Sequence, residues 1–387
     1  MFQFPHTDDL IVSLPDLLAE AGLSINELPC RLKTGSVDNR AADLAAAAAI
    51  QPICVTRSFA RRIEPGNPAD PLLRQILPSP DELSSPDDFT RNPLKEQESA
   101  RQNLLTKYAG RVLILATEAC SGSCRFCFRR FRLKNQIKKR LAVSSQQLVE
   151  QSEKQLENTA CELTATKNSS LIPHLLSALQ YIEDNADVRE VILSGGDPLM
   201  LDNAQLKELF ARLRKIPHVQ RVRIHSRMPI YYPDRIDGEL IEMFKQWSVL
   251  SSAPLEKPTD NALPLTTRRS LFFVTHVNHG NEIDSAVGAA FARLRSSGAI
   301  LLQQGVLLKG VNNSADALCE LYEKLINCGV MPYYLHLLDH VEGAAHFLVD
   351  DVAAKELIGQ IRDRLPGYAV PRLARELPGE KSKRVLG

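Results

Sequence analysis

The chain has 387 residues, 44% hydrophobic and 24% charged, an ordinary composition for a globular protein. Its 47 basic and 46 acidic residues leave a formal charge of +1, which argues against a general polyanion binder, so no nucleic acid is expected as a partner. No run approaches ~18 consecutive apolar residues, so no transmembrane helix or membrane partner is expected. The opening MFQFPHTDDLIVSLPDL lacks the basic-then-apolar order of a signal peptide.

Residues 1–105 read as mostly helical and irregular. Short helical periodicity marks residues 14–21, 41–50 and 71–77, and proline-rich punctuation falls at 65–68 and 78–80. From residue 111 the pattern changes. An apolar run at 112–116 leads into a cluster of cysteines. Helices are expected at 144–158 and 171–184, with a polar insert at 159–170 between them. A strand at 190–193 ends in Ser194-Gly195-Gly196-Asp197, and an amphipathic helix follows at 204–215. A strand at 219–225, a helix at 238–246 and a proline-rich insert at 251–267 come next. Beyond them lie a strand at 271–277, a helix at 282–297, a strand within 299–308 and a helix at 314–328 stopped by Gly329. The last pair is a strand at 332–338 and a helix at 352–365.

Apolar strands alternating with ten-to-fifteen-residue helices imply an α/β fold with a parallel sheet. About six such units are two short of a complete eight-stranded barrel. The expectation is a partial (β/α)6 TIM-like barrel over residues 106–365, with a helical extension at 1–105 and a tail at 366–387. Function would then sit at the C-terminal ends of the strands.

Eight cysteines stand at 30, 54, 120, 124, 127, 161, 319 and 328. Five are scattered and read as structural thiols of a protein in a reducing compartment, the cytoplasm. Cys120, Cys124 and Cys127 follow the first strand with the spacing C-x3-C-x2-C. Three such thiolates can hold three corners of a [4Fe-4S] cluster and leave the fourth iron open. Zinc is the competing ligand, but it calls for a fourth thiolate or histidine in a second short-spaced pair, and the sequence has none.

This spacing resembles that of the radical S-adenosylmethionine superfamily. There the open iron is chelated by the methionyl amine and carboxylate, and the cleaved sulfonium yields a deoxyadenosyl radical. Ser194, Gly195 and Gly196 are similar to the superfamily's glycine-rich turn, which meets the methionyl amine. The motifs CFRR (127–130), LSGGDPL (193–199), RIHSRMP (223–229) and THVNHGN (275–281) resemble the lysine 2,3-aminomutase family. GNPADPLLRQIL (66–77) and PYYLHLLDHVEGAAHF (332–347) resemble its branch that acts with elongation factor P. The likeness runs from about residue 57 to the end, with the two inserts as departures.

The resemblance implies pyridoxal 5'-phosphate as a second cofactor, carried by Lys383 as a Schiff base, with Lys381 as the rival. It implies Lys107, Tyr108 and Arg111 around the cofactor phosphate, which suits a cationic, hydroxyl-bearing cradle. Arg129 matches the residue that holds the substrate carboxylate, a group the guanidinium fork fits in bidentate fashion. Arg129 also opens a basic run to residue 140 with seven Lys or Arg, ordinarily a solvated face. Free-lysine enzymes place two aspartates around the ε-ammonium. Asp339 matches one, and Asn313 stands at the other, able to accept a hydrogen bond but without charge.

The implied activity converts L-lysine to β-lysine, which a separate ligase would attach to elongation factor P. A second reading is a free-lysine or glutamate 2,3-aminomutase. A third, of another class, is a non-catalytic iron–sulfur electron-transfer protein. Only four residues follow Lys383, which favours the elongation-factor branch and predicts a monomer or small oligomer.

Overall fold

The computed structural model describes residues 9–28, 40–96, 103–132, 173–248 and 269–387. The expected helix at 144–158, the two inserts and the basic run beyond residue 132 lie outside the described residues.

The N-terminal region contributes a small antiparallel pair, β1 (Leu10–Ile11) with β2 (Val55–Thr56). Its helices start where capping chemistry allows. Ser13 Oγ accepts from Asp16 N at 3.2 Å ahead of helix Leu14–Glu20, with Pro15 in the first turn. Asp70 Oδ1 accepts from both Leu72 N and Leu73 N and starts the short helix Pro71–Arg74.

The main element is a nine-stranded sheet. Its strands are β3 (Leu104–Tyr108), β4 (Arg111–Thr117), β5 (Glu190–Gly195), β6 (Arg221–Ser226), β7 (Ser270–His276), β8 (Ile300–Val306), β9 (Met331–His336), β10 (Arg372–Arg375) and β11 (Arg384–Val385). They lie side by side in chain order. β4 to β10 are parallel, and β3 and β11 are antiparallel closers at the two edges. Parallel neighbours require a crossover, and the described helices Pro173–Asp184, Asn203–Lys215, Gly238–Ser248, Ser285–Ser296, Ala315–Asn327 and Asp351–Arg362 supply it. Asn203–Lys215 is representative. Asp202 and Gln205 form a reciprocal capping box, and Leu206, Leu209, Phe210 and Leu213 make one buried stripe. Arg212, Arg214 and Lys215 complement the dipole at its end.

β5 is buried along nearly its whole length, as a parallel strand covered on both faces should be, whereas β6 alternates. One apolar core runs from Ile11 to Leu373 and includes residues of the N-terminal region and of the sheet. A second, small cluster packs Phe126 of the cysteine loop against Leu308, Val311, Leu338 and Phe347, all from loops beyond β8 and β9.

The strand–helix alternation matches the reading of the sequence, apart from boundary shifts of a few residues. Three strands lie where the sequence suggested none. β3 falls where the helical region was expected to end, and β10 and β11 lie in the tail. All three are short and carry Lys or Arg, so neither periodicity nor hydrophobicity marks them. They form because the sheet offers them an edge: Leu337 N donates to Ala374 O and Leu386 N to Leu373 O, each at 2.9 Å. No helix of the described residues is long and apolar enough to cross a membrane.

Candidate active site

The expected motifs gather at the C-terminal ends of the strands. The cysteine loop leaves β4 after Thr117, Ser194 and Gly195 end β5, and Arg227 follows β6. The two loops after β4 and β5 are locked together. Gly196 N donates to Thr117 O at 2.6 Å and Asp197 N to Ala119 O at 2.8 Å. A Cβ on Gly195 would come within 2.6 Å of Thr117 O, and one on Gly196 within 2.3 Å of Ala119 O. Gly195 also has φ +114°, a backbone that side-chain-bearing residues rarely adopt. The contact that requires glycine at both positions is therefore the neighbouring backbone of the cysteine loop. Asp197 ties in the third strand, accepting from Ser226 Oγ at 2.8 Å and Arg227 N at 2.8 Å. Burial pushes its carboxyl above the ordinary range despite these donors.

Cys120, Cys124 and Cys127 are free thiols that keep partial exposure. Desolvation, and then the charge of the neighbouring thiolates, pushes Cys120 well up and Cys127 to about 11. Cys120 and Cys127 therefore stay protonated until a cation draws the protons off. The three sulfurs are soft donors on one loop, the donor chemistry an iron–sulfur cluster takes, although among the described residues they are not drawn together into a metal-ligand group. Cys124 Sγ already faces a cation: Arg227 Nη1 lies 2.9 Å away and Tyr231 Oη 3.4 Å. Gly122 leaves room for that tyrosine, because a Cβ there would sit 2.2 Å from its ring. Arg227 is aimed by Gln75 Oε1 at 2.6 Å and Glu282 Oε2 at 3.0 Å. Burial is the largest effect on Glu282 and opposes its ionisation, yet the Arg227 charge together with hydrogen bonds from Gln75, Arg227 and Asn278 N holds its carboxyl below the ordinary range.

The N-terminal region clamps the same loop. Ser123 N donates to Cys54 O and Arg125 N to Gln75 O. Arg125 is fully buried, with Glu82 at 2.6 Å and Gln51 O at 2.6 Å, and Arg130 pairs with the same Glu82 carboxylate. Burial opposes ionisation of Glu82, yet the two guanidinium groups hold it below the ordinary value.

A second set of side chains collects around Glu376, just past β10. Its Oε1 accepts from Lys107 Nζ at 2.9 Å and Tyr108 Oη at 3.3 Å, and its Oε2 pairs with Lys383 Nζ. Burial works against this carboxylate, but Lys383 and Lys107 hold it at about 2. Arg111 lies 4.6 Å over the Tyr108 ring. Lys107, Tyr108, Arg111, Glu376 and Glu96 line one recess, a cavity of about 80 Å³ partly open to solvent. Lys381 is exposed, whereas Lys383 is half-buried with its Nζ on Glu376. Two lysines, a tyrosine and an arginine beside one carboxylate fit a phosphate-bearing aldehyde cofactor: a phosphate could take the donors that Glu376 now holds.

Arg129 joins the two halves. Nη1 donates to Ser194 Oγ at 3.2 Å and Gly195 O at 3.3 Å, and the other side of the guanidinium grips Glu96. Asp339 belongs to the same electrostatic space. Desolvation is the main cause that pushes its carboxyl up to about 7, with Glu376 and Glu96 adding to it and Lys383 and Arg129 opposing. Asn313 is placed elsewhere. It is exposed, and its Oδ1 accepts from Gly310 N at 2.6 Å, closing its own turn.

Sequence reading missed Glu82, Gln75, Glu96, Glu282 and Glu376, which carry the counter-charges and the acceptors. It also passed over His225, His276 and His336, although all three stand inside the quoted motifs. Desolvation lowers all three, His276 to about 3, so they are neutral imidazoles at the ends of β6, β7 and β9. His225 Nε2 and Thr275 Oγ1 are buried without a partner among the described residues, the signature of a polar site awaiting a ligand.

No family model matches the chain. Curated relatives do. L-lysine 2,3-aminomutase of Escherichia coli is 39% identical over 332 residues, covering 86% of this chain and 82% of that protein. That of Haemophilus influenzae is 36% identical, covering 85% and 82%. That of Clostridium subterminale is 32% identical, covering 86% and 68%. The chain belongs to the lysine 2,3-aminomutase family. It is accordingly an isomerase of the aminomutase type. The residues of both halves of the site, from Gln75 to Lys383, lie within the stretch from about residue 57 to the end whose motifs resemble the family's.

Proposed function

We propose that the chain is a radical S-adenosylmethionine, pyridoxal-phosphate-dependent aminomutase that converts L-lysine to β-lysine for the modification of elongation factor P. The observation that carries this reading is Arg129. Its guanidinium touches the Ser194–Gly195 turn beside the cysteines and also grips Glu96, which lines the recess with Glu376, the partner of Lys383, so it links the two half-sites. Cys120, Cys124 and Cys127 would hold the [4Fe-4S] cluster, with Ser194, Gly195 and Gly196 beside S-adenosylmethionine. Lys107, Tyr108 and Arg111 would hold the phosphate of pyridoxal phosphate, and Lys383 its aldehyde. When bound, these groups supply a hydrogen-abstracting radical and an electron sink for a migrating amino group.

The protein's own residues orient and shield. Arg129 supplies the fork for the substrate carboxylate. Asp339 offers an acceptor to the distal ammonium, and that cation would draw its carboxyl back toward ionisation. The neutral histidines at the strand ends give hydrogen bonds without adding charge to a cationic site. Phe126, Leu308, Val311 and Phe347 form an apolar wall that excludes water on the cysteine side. The same reading takes the sheet as an open (β/α)6 barrel over residues 106–365, flanked by an N-terminal helical region and a tail bearing Lys383. It also sets the chain in the cytoplasm, where thiols stay reduced.

Anaerobic protein with about four irons per chain, pyridoxal phosphate, S-adenosylmethionine and a reductant should convert L-lysine to β-lysine. Product from glutamate but none from lysine would overturn the substrate. No product from either, with cluster and pyridoxal phosphate both loaded, would overturn the reaction.

A further inference from the structure

The guanidinium of Arg129 already holds a carboxylate. Nε donates to Glu96 Oε2 and Nη2 to Glu96 Oε1, each at 2.7 Å. The two side chains are 11% and 16% exposed, so the pair is largely out of water. Two parallel N–H···O bonds on one edge of a guanidinium are the geometry that a substrate carboxylate would itself adopt. Nη1 is engaged by Ser194 and Gly195, so the Glu96 edge is the one a substrate could use.

Two observations bear on what Glu96 does there. Glu96 is one of the residues lining the same recess as Lys107, Tyr108, Arg111 and Glu376, while its carboxylate is on Arg129, so it links that recess to the guanidinium. The residue before it, Lys95, has φ +52°, a left-handed backbone on a side-chain-bearing residue, closed by Lys95 N on Asn92 O at 3.1 Å. Strain of this kind persists only where surrounding contacts hold it, and the bidentate grip on Arg129 is such a contact.

Resting on the reading of Arg129 as the carboxylate anchor, we infer that Glu96 is an internal placeholder for the substrate: its carboxylate occupies the guanidinium until a substrate carboxylate displaces it. Exchange of one carboxylate for another keeps a nearly buried Arg129 paired in both states, which avoids leaving an uncompensated charge. A ligand that lacks a carboxylate cannot make the exchange and gains nothing from Arg129, whether Glu96 is there or not.

The test uses the full chain loaded with pyridoxal phosphate, without S-adenosylmethionine or reductant, so that ligands bind and nothing turns over. L-lysine and 1,5-diaminopentane, which is lysine without its carboxylate, are titrated against the visible absorption of the bound cofactor in wild type and Glu96→Gln. Removing the competitor should tighten apparent lysine binding by about tenfold, the equivalent of about 1.4 kcal/mol. Binding of 1,5-diaminopentane should stay within about twofold, since it never engages Arg129. Weaker lysine binding in the variant would instead make Glu96 a positioning partner of Arg129 and overturn the inference. Equal shifts for both ligands would make it structural and overturn it too. Hydrogen exchange of the wild-type segment 89–96 gives a check that needs no variant. Exchange should rise when lysine is added, and an unchanged or slower rate overturns the displacement. If neither ligand perturbs the wild-type cofactor spectrum, the reading of the recess itself fails, an outcome distinct from all of these.

Discussion

Glu376 is the residue on which the recess turns. Lys107, Tyr108 and Lys383 come from two distant parts of the chain, and one carboxylate collects all three. Its ionisation is held at about 2, against an ordinary 4.5, by Lys383 and Lys107 working against burial. A carboxylate whose folded value is depressed contributes stability above its unfolded value, and that contribution is lost as pH falls through the folded one. Glu376→Gln should therefore cost the cofactor-free protein on the order of 2 kcal/mol at pH 6–7, after allowance for partial exposure. The difference from wild type should be level above pH ~4.5 and shrink between there and pH ~2. Urea unfolding of both proteins across pH 3–7 measures it. A difference that grows on acidification would show that the carboxylate is not the group being protected.

At the scale of elements, the strands that carry chemistry were legible and the ones that complete the sheet were not. β5, β6 and β7 announce themselves by apolar or alternating runs bounded by helical periodicity, and their C-terminal motifs fall where the site is. β10 and β11, RLAR and RV, have no such signal, yet β10 delivers Glu376 and β11 follows Lys383 directly. The cysteines were legible for the same reason as the strands: their spacing is local. Glu82 was not, because Arg125 and Arg130 find it across 43 and 48 positions, and no local pattern records such a pair. The glycine turn shows both sides. Its sequence marks a close approach, but only the fold reveals that the β4 loop makes it. Gly196→Ala would place a Cβ 2.3 Å from Ala119 O, against backbone that cannot swing aside. It should lower iron uptake several-fold in anaerobic reconstitution by displacing the cysteine loop. Gly359→Ala is the matched control: in helix Asp351–Arg362 nothing lies within 4 Å of the added Cβ. It should leave iron unchanged and raise stability by about 0.5–1 kcal/mol through helix propensity. Equal iron content in the two variants would refute the packing argument.

On the scale of the whole molecule, the N-terminal region is part of the cysteine site. A polar loop with two buried arginines cannot fold against the sheet alone. Arg125 needs Ala47 O and Gln51 O, Ser123 N needs Cys54 O, and Arg227 needs Gln75. Glu82 then balances both Arg125 and Arg130 with one carboxylate, and all three side chains have no measurable exposure. A buried pair adds little net stability over an apolar replacement, but removing one partner strands the other's charge in the core. Glu82→Gln should therefore destabilise the protein by about 3–5 kcal/mol, far more than an exposed pair such as Arg91–Glu342, whose Glu342→Gln variant should cost under about 1 kcal/mol. The loss should reach beyond the N-terminal region. One apolar core spans Ile11 to Leu373, so unfolding followed by fluorescence of Trp247, buried in that core on helix Gly238–Ser248, should shift as far as unfolding followed by circular dichroism. If Trp247, buried on this helix that covers the sheet, reports an unchanged midpoint while the helical signal falls early, the N-terminal region unfolds by itself, and the cysteine loop owes its shape to the sheet rather than to this clamp.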